Sequence, residues 1–162
     1  MNFKYFKTSV FLIFGLSLTL MACHKTTGQN RKKANNLTQF VDPFIGSGGH
    51  GHVFVGANVP FGGVQLGPSN FYKGWDWSSS YHHTDSIIKG FTHLNLSGTG
   101  MTDLSDFIVM PAVGKRKIWA GNQEHPNDAF ASFYSKKTEV AKAGYYSVML
   151  DDYNIKAELT AS

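Results

Sequence analysis

Tyr145-Tyr146-Ser147-Val148-Met149-Leu150, Asp151-Asp152-Tyr153-Asn154 and Ile155-Lys156-Ala157-Glu158-Leu159-Thr160 follow one another without a gap near the end of the chain. The last six alternate apolar and polar residues, the period of a strand with one buried face. The first six are rich in aromatic and other strand-forming residues, and the four between are turn formers. The segment predicts a β-hairpin. Working outward, Phe107-Ile108-Val109-Met110 stops at Pro111, and Val53-Phe54-Val55 is followed by Gly56 and Pro60, so short strands joined by long loops are expected. No stretch after the first 22 residues repeats apolar residues at helical spacing for three turns. The pattern indicates an all-β fold, a β-sandwich. Ala161-Ser162 come directly after the alternating strand, and an edge left there is open to pairing. The natural protein is therefore expected to continue, with this domain incomplete at its C-terminal end.

The other end of the chain is a leader. Lys4 and Lys7 precede a stretch from Thr8 to Leu20 that is apolar apart from Thr and Ser, the layout of a secretory signal. It is short of the about 20 apolar residues that a spanning helix needs. Leu20-Met21-Ala22-Cys23 resembles the lipobox of bacterial lipoproteins, in which cleavage leaves the cysteine as an acylated N-terminus. Cys23 is the only cysteine in the chain, so no internal disulfide framework is available and the fold rests on its core. The expected organisation is a lipoprotein signal peptide over 1–22, a flexible polar tether over 23–38 and a partial β-sandwich over 39–162.

The formal charge of +4 does not describe that domain. Six of the fifteen basic residues, Lys4, Lys7, Lys25, Arg31, Lys32 and Lys33, lie in the leader or tether, which leaves 9 basic against 11 acidic residues from Ala34 onward. A nucleic-acid partner is not expected.

Gly46-Ser47-Gly48-Gly49-His50-Gly51 fits the string G-x-G-x-x-G, but its context excludes a dinucleotide site. Such a site needs a helix opening at the last glycine to face the pyrophosphate, whereas His52-Val53-Phe54-Val55-Gly56 reads as strand and turn. These glycines are expected to supply positive φ angles and close backbone approach in a loop.

The run Val41-Asp42-Pro43-Phe44-Ile45-Gly46-Ser47-Gly48-Gly49-His50-Gly51-His52, followed by Gly56-Ala57-Asn58-Val59-Pro60-Phe61-Gly62-Gly63-Val64-Gln65-Leu66-Gly67-Pro68, strongly resembles the N-terminal domain of glycoside hydrolase family 92. The likeness continues through Gly74-Trp75-Asp76-Trp77, Ile88-Lys89-Gly90-Phe91-Thr92-His93, Leu96-Ser97-Gly98-Thr99-Gly100, Asp103-Leu104-Ser105-Asp106 and Gly144-Tyr145-Tyr146-Ser147-Val148. Ordered blocks over roughly residues 40–160 are more specific than one short motif. Two departures stand out. Ser79-Ser80-Tyr81-His82-His83 lacks the glycine and final tyrosine usual after the tryptophans, and Asn95 replaces a histidine, which would alter linkage preference if that histidine contacts sugar in relatives.

The resemblance implies a bacterial exo-acting α-mannosidase that inverts configuration with the help of a calcium ion and acts on mannose-containing glycans. Inversion needs an acid and a base carboxyl group about 6.5–9.5 Å apart. The resemblance places that Glu and Asp in a larger helical-barrel domain beyond this chain, so no residue here is expected to be catalytic and the 162 residues alone are expected to be inactive. The part left to this domain is a wall of the sugar pocket, for which Trp75, Asp76, Trp77, His93, His50, His52 and Asp103 are the candidates. A pyranose presents an apolar face to an aromatic ring and hydroxyls to fixed polar groups. In an extended Trp75-Asp76-Trp77 the indoles share one face and Asp76 takes the other, so all three meet one sugar only with a bend, which Gly74 permits. One tryptophan in the pocket and one in the core is the expectation, with a purely structural role for both as the alternative. His50 and His52 are too few for a metal site, and calcium prefers oxygen; loop hydrogen bonding competes with sugar or interface contact for both. His93 is either a core residue or a pocket residue, and Asp103 and Asp106 either bond loop amides or face the site. A non-catalytic carbohydrate-binding lipoprotein and a purely supporting domain are the rival functions. His24-Lys25 after Cys23, in place of acidic residues, favour an outer-membrane lipoprotein facing the periplasm.

Overall fold

The computed structural model describes residues 36–101, 105, 107–115, 117–122 and 124–161. The signal peptide, Cys23 and most of the tether lie outside these residues, as do Asp103 and Asp106. Asn36 opens a compact unit that runs to the end of the chain.

The unit is all-β. Its strands are β1 (Gly67–Ser69), β2 (Ile87–Ile88), β3 (Gly90–Thr92), β4 (Ile108–Val109), β5 (Ser132–Phe133), β6 (Val140–Lys142), β7 (Tyr145–Leu150) and β8 (Ile155–Thr160). Three 3₁₀ turns, Leu37–Phe40, Trp75–Trp77 and Pro126–Asp128, interrupt the loops, and no α-helix occurs among the described residues. The strands form three antiparallel sheets, β1-β3-β4, β2-β5 and β6-β7-β8.

The hairpin read from the sequence is β7–β8, paired from Tyr145 opposite Thr160 to Leu150 opposite Ile155. Asn154 closes its turn in the left-handed region, at φ 52°, which asparagine tolerates better than most side chains. Tyr146, Val148 and Leu150 point inward and are fully enclosed, as are Val55 and Ile88. With Phe91 and Ala157 they build one core shared by all three sheets. Each such aliphatic side chain contributes about 1.5–3 kcal/mol through burial. Phe91 of β3 meets Tyr146 of β7 in this core, with ring centroids 6.5 Å apart.

Phe54 and Val55 are buried, as expected of a strand, but Val53-Phe54-Val55 joins no ladder. The nearest pairing is a single bridge between Ala57 and Leu66, because the Val53 amide turns back to donate to the Gly46 carbonyl at 3.3 Å. The segment is therefore part of the glycine-rich loop. His93 is likewise just outside a strand, since β3 ends at Thr92.

A polar knot lies where β6 begins. The Glu139 carboxylate accepts from the hydroxyls of Tyr81, at 3.0 Å, and Tyr146, at 2.7 Å, and from Lys136 Nζ at 3.1 Å. Lys136 also donates to the hydroxyl oxygens of Tyr81 and Tyr134, at 2.6 Å each. Every buried polar group in the knot thus has a partner, which is the condition under which such a cluster stabilises. Burial pushes the hydroxyls of Tyr81, Tyr134 and Tyr146 well above the ordinary phenol value. It pulls the Lys136 ammonium down, against the opposing effect of Glu139.

Candidate functional site

The glycine-rich loop is shaped by backbone approach. A Cβ on Gly51 would sit 2.0 Å from the Gly46 carbonyl oxygen, so only glycine fits there. The turn this allows carries His50 outward and His52 inward. The two histidines thus differ in surroundings: His50 has a side chain 78% exposed, and His52 is buried.

The Trp75-Asp76-Trp77 motif supplies the other half. It forms a 3₁₀ turn entered through Gly74, at φ 125°, so the bend that the sequence permitted is present. Trp75 is 57% exposed. Trp77 is half-buried: its indole stacks on His82 at 4.2 Å and its Nε1 donates to Asp85 Oδ2 at 2.8 Å. Asp85, itself buried, pairs with Lys73 at 2.9 Å and accepts from the Ser86 and Ile87 amides. Trp77 therefore holds the loop that presents Trp75.

Loop and turn meet at Asp76. His50 Nδ1 donates to Asp76 Oδ1 at 2.5 Å, and His52 Nε2 lies 3.8 Å from the same oxygen. Trp75 closes the group, its ring centred 5.7 Å from that of His50 and 4.0 Å, edge-on, from that of His52. The hydrogen bond from His50 holds the Asp76 carboxyl below its ordinary value, with the nearby His82 and His52 adding to the effect. Asp76 is thus an ionised acceptor.

His52 is anchored from behind. Its Nδ1 donates to the Thr99 carbonyl at 2.8 Å, and Ser78 Oγ, which also donates to Thr99, lies 2.9 Å from the same nitrogen. Its backbone adopts φ 52°, uncommon for a residue with a side chain. Its Nε2 is enclosed and finds no hydrogen-bond partner among the described residues, a state that costs about 1–3 kcal/mol. Strain and an unpaired buried nitrogen on one residue mark this cluster as more than packing. The parts played by Ser78 and Thr99 were not read from the sequence; serine following the tryptophans was the available signal.

His93 packs against Phe107, with rings 5.2 Å apart, beside an apolar cavity of about 250 Å³ lined also by Leu66, Phe91, Val109 and Leu159. Asn95 is buried and satisfied: its amide donates to the Gln65 carbonyl at 2.9 Å and its oxygen accepts from Thr92 Oγ1 at 3.0 Å. The Asn95 side chain is thus held by the fold in this chain.

Residues 40–162 match the family model described as the glycosyl hydrolase family 92 N-terminal domain. Among solved structures, the chain is similar to a family GH92 α-mannosidase of Bacteroides thetaiotaomicron in complex with mannoimidazole, at 41% identity and a TM-score of 0.74, over 79% of this chain and 17% of that one. A GH92 family glycosyl hydrolase is similar at 30% identity and a TM-score of 0.57, over 70% of this chain and 14% of the other. An uncharacterised secreted glycosidase of Arthroderma benhamiae is 25% identical over 132 residues, 78% of this chain and 16% of the relative. The chain thus spans about a sixth of the length of these relatives.

Proposed function

Since the chain belongs to glycosyl hydrolase family 92 through its N-terminal domain, we propose that the whole protein is an exo-acting α-mannosidase and that this domain forms one wall of its sugar pocket. The observation that carries the reading is the 41% identity to an α-mannosidase solved with mannoimidazole. The cluster built on Trp75, Asp76 and His50 supports it. An exposed indole offers a flat apolar face for the C–H side of a pyranose, and an ionised carboxylate beside an exposed imidazole offers fixed acceptors for its hydroxyls.

The acid and base belong to the remainder of the protein in this reading. Asp76 is committed to His50, which suits it to orientation rather than to activating water. Hydrolysis with inversion is part of the same proposal. It requires an acid that protonates the leaving oxygen and a carboxylate base on the opposite face of the sugar. The calcium ion implied by the family does not fit this cluster. Two imidazole nitrogens and one carboxylate are a poor match to a cation that takes roughly six to eight oxygen ligands, and no group of three or more His, Cys, Asp or Glu side chains among the described residues is placed to hold a metal.

Export, acylation at Cys23 and a periplasm-facing position on the outer membrane complete the proposal, supported by Leu20-Met21-Ala22-Cys23 and by His24-Lys25. The test of the enzymatic reading is release of free mannose by the full-length protein from α-linked mannobiosides, with α-glucosides and α-galactosides as controls. Mannose from the mannobiosides alone is expected. Equal action on all three, or on none, rejects it.

A further inference from the structure

Asp76 dictates where the proton of His50 resides. An ionised carboxylate only accepts, and Asp76 Oδ1 lies 2.5 Å from His50 Nδ1, so Nδ1 carries the hydrogen. In a neutral imidazole the other nitrogen is then an acceptor. In its neutral form, with Nδ1–H held by Asp76, His50 presents a bare Nε2 lone pair at the far end of a ring whose side chain is 78% exposed. His52, fixed by Thr99 and Ser78, lies on the other side of the carboxylate, its Nε2 3.8 Å from the same oxygen. A rigid, correctly protonated acceptor next to an exposed aromatic face is what a site needs to read one hydroxyl of a sugar.

We propose that His50 Nε2 accepts a hydrogen bond from a single hydroxyl of the mannoside seated against Trp75, and that Asp76 is the positioning residue that fixes the tautomer. This rests on the mannosidase reading above and adds to it a residue that selects substrate by demanding a donor. The buried charged cluster around Glu139 offers no comparable group, because its members satisfy one another.

The demand for a donor is testable, since fluorine replaces a hydroxyl in size and polarity but cannot donate. In the full-length protein, kcat/KM is measured for an aryl α-mannoside and for its deoxy and deoxyfluoro analogues at each ring hydroxyl. Dividing the analogue-to-parent ratio of the wild type by that of His50→Ala cancels the effect of the substituent on the reaction itself. At one position, both the deoxy and the fluoro analogue are expected to cost the wild type roughly 10-fold more than they cost the variant. His50→Gln, whose amide oxygen can take the place of Nε2, restores part of this selectivity. Asp76→Asn, whose amide can donate to Nδ1 and release the other tautomer, loses it. Trp75→Ala lowers parent and analogues together. A folded His50→Ala variant that keeps the wild-type ratios at every position overturns the inference while leaving the mannosidase reading intact. A wild-type protein that releases no mannose overturns both.

Discussion

Two tryptophans one residue apart carry different burdens. Trp77 stacks on His82 and satisfies Asp85, a buried carboxylate that also faces Lys73. Trp77→Ala removes that stack and a buried hydrogen bond, and is expected to lower stability by about 2–4 kcal/mol in urea unfolding. Trp75→Ala is expected to cost under about 1 kcal/mol in the same measurement, because its ring is largely exposed. Gly51→Ala sets a Cβ against the Gly46 carbonyl and is expected to cost about 2 kcal/mol or more, with a matching fall in Tm. The motif Trp75-Asp76-Trp77 was legible as a candidate site, and Gly74 as its bend. Which indole packs was not, since the choice depends on Asp85 and His82, reached only through the fold. The meeting of His50 with Asp76 across 26 residues of chain has no local signature either; the family resemblance alone put both in one list of candidates.

At the scale of elements, the β7–β8 hairpin was readable because each strand pairs with its immediate neighbour and alternation reports its buried face directly. Strands β1 to β5 are two or three residues long, and nearly all their partners are distant in sequence, so no local period marks them. Val53-Phe54-Val55 shows the limit of composition. Its residues favour a strand, and the glycines before it bend the backbone away from any ladder. The knot where β6 begins was invisible for the same reason, since Tyr81 reaches Glu139 from 58 residues away. It makes a distinct prediction. The raised values of Tyr81, Tyr134 and Tyr146 mean that the folded state binds phenolic protons that the unfolded chain releases above about pH 10. Their contribution to stability is complete below that pH and is lost as pH rises further. Lys136 and Lys89 shift the opposite way and offset part of it, but the tyrosine shifts are the larger. Tm is expected to fall steeply above pH 10, with the tyrosinate absorbance of these three residues appearing only as the protein unfolds. Glu139→Ala leaves Lys136 and two hydroxyls without their partner, at an expected cost of about 3 kcal/mol or more.

At the scale of the whole molecule, an all-β domain about a sixth the length of its relatives has, in this proposal, the part of a donor-reading wall, with the acid and base beyond it. The tether gives a prediction independent of the chemistry. Cys23→Ser in the full-length protein is expected to abolish incorporation of labelled fatty acid and move the protein from the membrane to the soluble fraction; continued labelling would reject acylation at that residue. The central claim is that this domain touches the sugar, and the most direct measurement is kcat/KM of full-length Trp75→Ala on an α-mannobioside, beside its Tm. A loss of roughly 10-fold or more with Tm within a few degrees of wild type is predicted. Unchanged kcat/KM in the folded variant would contradict the account.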